Sequence, residues 1–315
     1  MSKLAALGHR ATARRRLVLA GLIALIGVVV SLLGSGPGAI AKAAPQPGER
    51  AHAAIIGGRV AEPGQLSSVA ELVDIKGRTG LLCTGTVVAP RLVLTAGHCA
   101  ENLSTGARNG AAGYLVLTGT VSDSDPVGQV SRVIGVLVYE GFARRFAIGD
   151  AALLVLATPT SAPAIKLAGR GDATMLRAGT SATIAGWGLT HAGTGRVAQT
   201  LRSAHTVVQK QRWCARHTAF FVHSEVCAID SVHHTSGACF GDSGGPLIAT
   251  DRGGEPVEIG IVSHGDAHCS TRKPAVFTRI DLVASWVRTW IRAYTPRAAP
   301  APQPAPPAPQ PATTP

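Results

Sequence analysis

The sequence predicts an all-β fold, a barrel or a sandwich, followed by one C-terminal α-helix. From Ile55 onward short apolar runs are broken by Gly, Pro, Asp and Asn: Val69–Ile75, Leu81–Val88, Tyr114–Thr118, Val130–Val138, Ala151–Leu156 and Val257–Val262. Repeated short strands with turn signals between them build barrels and sandwiches. Only the end of the chain shows helical spacing, where Leu282, Val283, Trp286, Val287, Trp290 and Ile291 recur at i, i+4. Asp281 reads as the N-cap, Arg288 and Arg292 face away, and Pro296 stops the helix. With 315 residues, 46% of them hydrophobic, the chain can bury a substantial core in one or two units.

The first 54 residues differ in kind. Lys3, Arg10, Arg14, Arg15 and Arg16 precede the apolar run Leu17 to Leu33, and small-residue sites follow at Ala39-Ile40-Ala41 and Ala41-Lys42-Ala43. This is the layout of a secretory signal peptide over residues 1–43. The other reading is an uncleaved anchor, since the run is at the lower edge of a membrane span. Arg14-Arg15-Arg16 hints at twin-arginine export. Residues 44–54 then read as a propeptide, and 295–315 as a disordered Pro/Ala-rich tail with no core-forming residues. The formal charge of +12 is inflated by the leader, and no long basic run exists, so nucleic acid is not implied. Arginine outnumbers lysine 24 to 6, a composition expected of a GC-rich bacterial genome. All six cysteines follow the leader, an even number that reads as disulfides with their pairing open.

Three local patterns carry chemistry. In Cys239-Phe240-Gly241-Asp242-Ser243-Gly244-Gly245-Pro246, glycines allow a tight, exposed turn with a free serine hydroxyl. Such a serine is a weak nucleophile until a base takes its proton and a third group orients that base. Leu94-Thr95-Ala96-Gly97-His98-Cys99 supplies a His after an apolar run, and Ile148-Gly149-Asp150-Ala151 an Asp at the head of a strand. Taken singly, these are a turn residue, a packing residue and a loop residue. Together, in this order, with cysteines and a mature-end motif to match, chance explains them poorly.

On these motifs, residues 55–294 resemble the trypsin/chymotrypsin family of serine endopeptidases, whose triad runs in the order His, Asp, Ser. The resemblance implies two six-stranded antiparallel β-barrels, at about 55–170 and 171–280, with the cleft between them, the crossover near 165–180 and helix 281–294 packed on the second barrel. It implies His98, Asp150 and Ser243 as the triad, with the Gly241 and Ser243 N–H groups as the oxyanion hole. It pairs Cys83 with Cys99, Cys214 with Cys227 and Cys239 with Cys269. It reads Ile55-Ile56-Gly57-Gly58 as the mature N-terminus, whose new amino group pairs with Asp242. Residues 51–54, Ala-His-Ala-Ala, depart from the Arg or Lys that usually precedes that cut.

The same resemblance puts Gly237 at the floor of the specificity pocket, Gly265 and Ala275 at its walls, and Ser263-His264-Gly265 along the substrate backbone. His264 stands where the family usually has Trp. Without a negative floor a buried Lys or Arg side chain would be unpaired, so cleavage after apolar residues is expected. Polypeptide substrates and proteinaceous inhibitors are the implied partners. No cofactor is implied, and membrane contact only if the leader stays uncleaved. The expected location is extracellular or in the cell envelope, as a secreted zymogen. The remaining temptations are weaker. His223, His233 and His234 show no metal-ligand spacing, residues 101–113 hold only Glu101 for a calcium loop, and Arg170-Gly171-Asp172 reads as a chance tripeptide. The alternative function is a catalytically inactive protease-like binding protein at the cell surface. Its relatives usually lose a triad member, and none is lost here.

Overall fold

Strand formation follows the apolar runs closely. The computed structural model describes residues 55–75, 80–191 and 198–295. The leader and propeptide, and the tail from Pro296, lie outside the described residues. The strands are β1 (Arg59–Val60), β2 (Val69–Asp74), β3 (Gly80–Ala89), β4 (Leu92–Thr95), β5 (Tyr114–Thr118), β6 (Gln129–Val138), β7 (Ala152–Leu156), β8 (Lys166–Leu167), β9 (Ser181–Gly186), β10 (Arg202–Val208), β11 (Glu225–Ile229), β12 (Pro246–Thr250), β13 (Pro256–His264) and β14 (Ala275–Arg279). Helices α1 (Gly97–Ala100), α2 (Gln211–His217) and α3 (Ile280–Tyr294) interrupt or end them.

The first barrel closes in the order β2-β3-β4-β7-β6-β5, all antiparallel. Every residue of β4 and β7 is buried. That is why these two strands read as unbroken Leu and Val rather than as an alternation. The second barrel closes as β9-β10-β11-β14-β13-β12 through the pairings β10–β9 and β12–β9. Two short strands dock on its wall, β1 antiparallel to β10 and β8 parallel to β13. The two expected six-stranded barrels and the terminal helix are therefore present.

Three details differ from expectation. The crossover lies between Leu156 and Lys166, ahead of 165–180, because β8 already pairs with the second barrel. The opening segment also belongs there: Arg59 sits opposite Ser203 and Val60 opposite Arg202. Third, α3 is capped by Arg279, and Asp281 lies inside its first turn. The Arg279 guanidinium takes both Asp281 oxygens, at 2.8 and 3.1 Å, which removes that carboxylate from capping. Ile280, Val283, Ala284 and Val287 form the buried stripe of α3, and Leu282 is exposed. Trp286 meets Tyr139 of the first barrel edge-on at 5.5 Å, so the helix bridges both barrels.

Candidate active site

The cleft is built from turns that follow strands. Helix α1 begins directly after β4, and Cys99 is bonded to Cys83 of β3. Gly97 permits the approach, since a Cβ there would meet Phe142 Cδ1 at 2.9 Å and Asp150 Oδ1 at 3.1 Å. Asp150, just ahead of β7, is wholly buried. Its Oδ1 accepts the His98 backbone N–H at 2.8 Å. Its Oδ2 takes two more bonds, from His98 Nδ1 at 2.8 Å and from the Ser263 hydroxyl at 2.6 Å. An ionised carboxylate only accepts, so Nδ1 carries the proton and Nε2 is left as a base. Burial opposes a charge on His98, but the Asp150 charge and hydrogen bond outweigh it and raise the pKa above its ordinary value.

Ser243 lies on the tight turn Cys239–Gly245, with Asp242 N–H bonded to Cys239 C=O and Gly245 N–H to Asp242 C=O. Gly244 has φ +82°, and a Cβ there would overlap Thr95 Oγ1 and the Thr84 carbonyl, so only glycine fits. The first barrel holds this turn through one residue, Thr84 of β3. Its N–H donates to Ser243 C=O and its hydroxyl to Gly241 C=O, both at 2.9 Å. Phe240 C=O accepts the Leu189 N–H at 2.7 Å. In a planar trans peptide the Gly241 N–H then points the opposite way from that carbonyl. Asp242 is fully buried, and its two oxygens accept N–H groups from Gly188 at 2.9 Å and Cys239 at 2.8 Å. Burial pushes its pKa up to about 7 against those two bonds.

His98 and Ser243 line one cavity of about 360 Å³ together with Gly237, Ser263, His264, Gly265 and Ala275. Its buried lining is mostly apolar, with Ile184, Ala228, Val262 and Phe277 beside the hydroxyls of Thr206 and Ser236. A Cβ on Gly237 would make only ordinary contact, 3.7 Å from Thr271. The one close ion pair among the lining residues joins the exposed Lys273 to the largely buried Asp266 at 2.6 Å. Ile55 is fully buried with φ +46°, and Ile56 forms a bridge with Gly237, so the segment of the expected mature end docks against a residue that lines the cavity. In this uncut chain the Ile55 nitrogen is an amide, and no ion pair to Asp242 is seen among the described residues. The remaining bridges join Cys214 to Cys227 and Cys239 to Cys269.

Sequence reasoning missed three participants. Thr84 was hidden in a strand run. Ser263 was read only for its backbone, whereas its hydroxyl reaches Asp150. Glu225 of β11, also unnoticed, is buried with its Oε1 4.0 Å from His264 Nδ1.

The chain matches the Trypsin family model over residues 55–287. It is 30% identical over 262 residues to a trypsin-like protease of Streptomyces glaucescens, covering 79% of this chain and 88% of that one. It is 28% identical over 246 residues to a chymotrypsin of Phaedon cochleariae (75% and 81% covered) and 32% identical over 238 residues to serine protease SP24D of Anopheles gambiae (75% and 81%). Two closed barrels with this cleft and these relatives define a chymotrypsin-type serine endopeptidase. The chain belongs to the trypsin family.

Proposed function

We propose that the protein is a secreted endopeptidase that cuts peptide bonds after apolar residues, with Ser243, His98 and Asp150 as its catalytic groups. The observation that carries this reading is the set of three hydrogen bonds on Asp150, which leaves His98 Nε2 as the free base in the cleft that Ser243 lines. Ser243 Oγ attacks the substrate carbonyl carbon while Nε2 takes its proton. The imidazolium that forms sits against the buried Asp150 charge. The carbonyl oxygen becomes an oxyanion and takes the N–H groups of Gly241 and Ser243, each such donor being worth about 3–4 kcal/mol of barrier. His98 then gives the proton to the leaving amine, and water repeats the sequence on the acyl-enzyme.

Gly237 and the apolar lining of the pocket support the preference for apolar residues, because its one lining carboxylate, Asp266, is already taken by Lys273 and a buried cation would find no free partner. Activation follows from the same residues. Cutting ahead of Ile55 turns its amide into an ammonium beside a pocket segment that already docks, and Asp242 gains a cationic partner. The natural ligands are polypeptides, including proteinaceous inhibitors, and the three disulfides suit an oxidising extracellular compartment. The test is to treat the processed protein with an active-site serine reagent and to profile it on a mixed peptide library. Labelling and cleavage after apolar residues are expected, both abolished in Ser243→Ala. A Ser243→Ala variant as fast as the parent, or a strong preference for Arg, would overturn the reading.

A further inference from the structure

Behind the catalytic carboxylate lies a second buried acid that the mechanism above does not use. Glu225 opens β11, and its side chain is shut off from solvent. One oxygen, Oε2, accepts the Phe221 N–H at 2.6 Å. The other, Oε1, has no hydrogen-bond partner and faces His264 Nδ1 across 4.0 Å. A buried orphan acceptor is costly, and a buried carboxylate without a counter-charge more so.

The imidazole has a matching deficit. His264 Nε2 lies 3.1 Å from the Ala219 carbonyl, which can only accept, so Nε2 carries a proton. Nδ1 then faces Ser263 Oγ at 3.4 Å, whose own proton goes to Asp150, and Glu225 Oε1. Neither neighbour offers Nδ1 a hydrogen unless a proton sits on Oε1, or the ring carries a second proton and the carboxyl none. Either way the pair holds one proton, across an ion-pair distance of 4.0 Å that is too long for a hydrogen bond.

We propose that Glu225 is a positioning residue of this protease: its one-proton pairing with His264 keeps the imidazole ring in the cleft wall, and loss of that proton releases the ring. This rests on the catalytic reading above. Glu225 also anchors the backbone of Phe221, whose ring meets Phe146 edge-on at 5.7 Å. Phe146 precedes Asp150 by four residues. Phe221 and Phe146 thereby link the carboxyl to the loop that leads into Asp150, while His264 lines the cavity, so its effect belongs to substrates long enough to meet that ring.

The surroundings fix the direction of the pH effect. Burial, and after it the Asp150 charge, push the Glu225 carboxyl up to about 7 against the Phe221 hydrogen bond. Asp150 and His98 lie on the β7 and α1 side, and Asp266, two residues beyond His264, is taken by Lys273. Arg279, next to the Thr278 that sits opposite Glu225, is taken by Asp281. His223 on the neighbouring loop is exposed. Glu225 also lines a second cavity with Arg177, Lys210, Arg212 and Arg279, and none of these four is ion-paired with it. Among the described residues His264 is the one ion-pair partner of the carboxylate once the proton leaves. Two lone pairs then oppose each other across the gap.

The experiment measures kcat/KM against pH for the processed enzyme on a four-residue peptide substrate and on a single-residue ester with the same apolar side chain. Taking the ratio of the two cancels the titration of His98. The ratio should fall about fivefold as pH rises through 7, carried by KM of the longer substrate, roughly the worth of one weak ion pair. In Glu225→Gln an amide N–H meets Nδ1 at every pH, so the ratio should be flat, and His264→Phe should flatten it as well. A flat ratio in the parent, or an unchanged slope in either variant, overturns the proposal in an enzyme that is still active. Should Glu225→Gln fail to fold, the parent and His264→Phe profiles decide the matter. Loss of serine labelling would instead strike the catalytic reading itself.

Discussion

Asp150 receives three hydrogen bonds on two oxygens, and the donors have different tasks. The backbone N–H of His98 fixes where the helix starts, the Nδ1–H fixes the tautomer, and Ser263 fixes the rotation of the carboxylate. Asp150→Asn keeps the volume but turns one oxygen into a donor. It should hold His98 in the wrong tautomer and lower kcat by about 10⁴-fold with KM little changed, read by steady-state kinetics. A loss of less than tenfold would remove Asp150 from the proton path. At this scale legibility depended on local context. His98, Asp150 and Ser243 each carry their turn-forming neighbours with them, so short stretches of sequence expose them. Thr84 and Glu225 do not: in Leu81–Val88 a threonine reads as an ordinary strand residue. Glu225 is functional only because β11 and β13 bring it to His264 from 39 positions away.

At the scale of elements, the Ser243 turn is held from outside itself. Its two carbonyls are taken by Thr84 of the first barrel, while Gly244 lets it pass against Thr95. Gly244→Ala meets both a positive φ and a steric overlap. It should destabilise the protein by about 3 kcal/mol or more. Thermal unfolding checks this, and a melting temperature equal to the parent's would mean that the turn can relax. Strands of the first barrel were legible from their apolar runs, as in β7, where every residue is apolar and buried. The cap of α3 was not. Asp281 is a good N-cap by composition, yet Arg279 lies two residues upstream and its guanidinium takes both carboxylate oxygens. A choice between backbone and side-chain partners is settled by three-dimensional packing.

The molecule as a whole buries more carboxyls than it neutralises. Glu71, Glu225 and Asp242 are each pushed up to about 7, and Glu258 is raised well above its ordinary value, burial being the first cause for all four. A carboxyl raised in the folded state holds its proton there while the unfolded chain has already lost it. Stability is then greatest below the unfolded value, near 4, and declines as pH rises through the folded one. Asp230 runs the other way: burial opposes its charge, but hydrogen bonds from the His233, Thr235 and Val232 N–H groups hold its pKa below the ordinary range. Its contribution is lost only at more acidic pH, outside that window. The melting temperature of the uncut Ser243→Ala chain should therefore drop by several degrees between about pH 4.5 and 8. Cleavage ahead of Ile55 changes one of the four. An α-ammonium, with a reference pKa of about 8, becomes available to Asp242 and favours its charged form. The processed Ser243→Ala protein should show a shallower drop over the same range, measured by calorimetry on both forms. Parallel curves would mean that Asp242 gains no partner on cleavage, and that the buried Ile55 segment does not switch the site on.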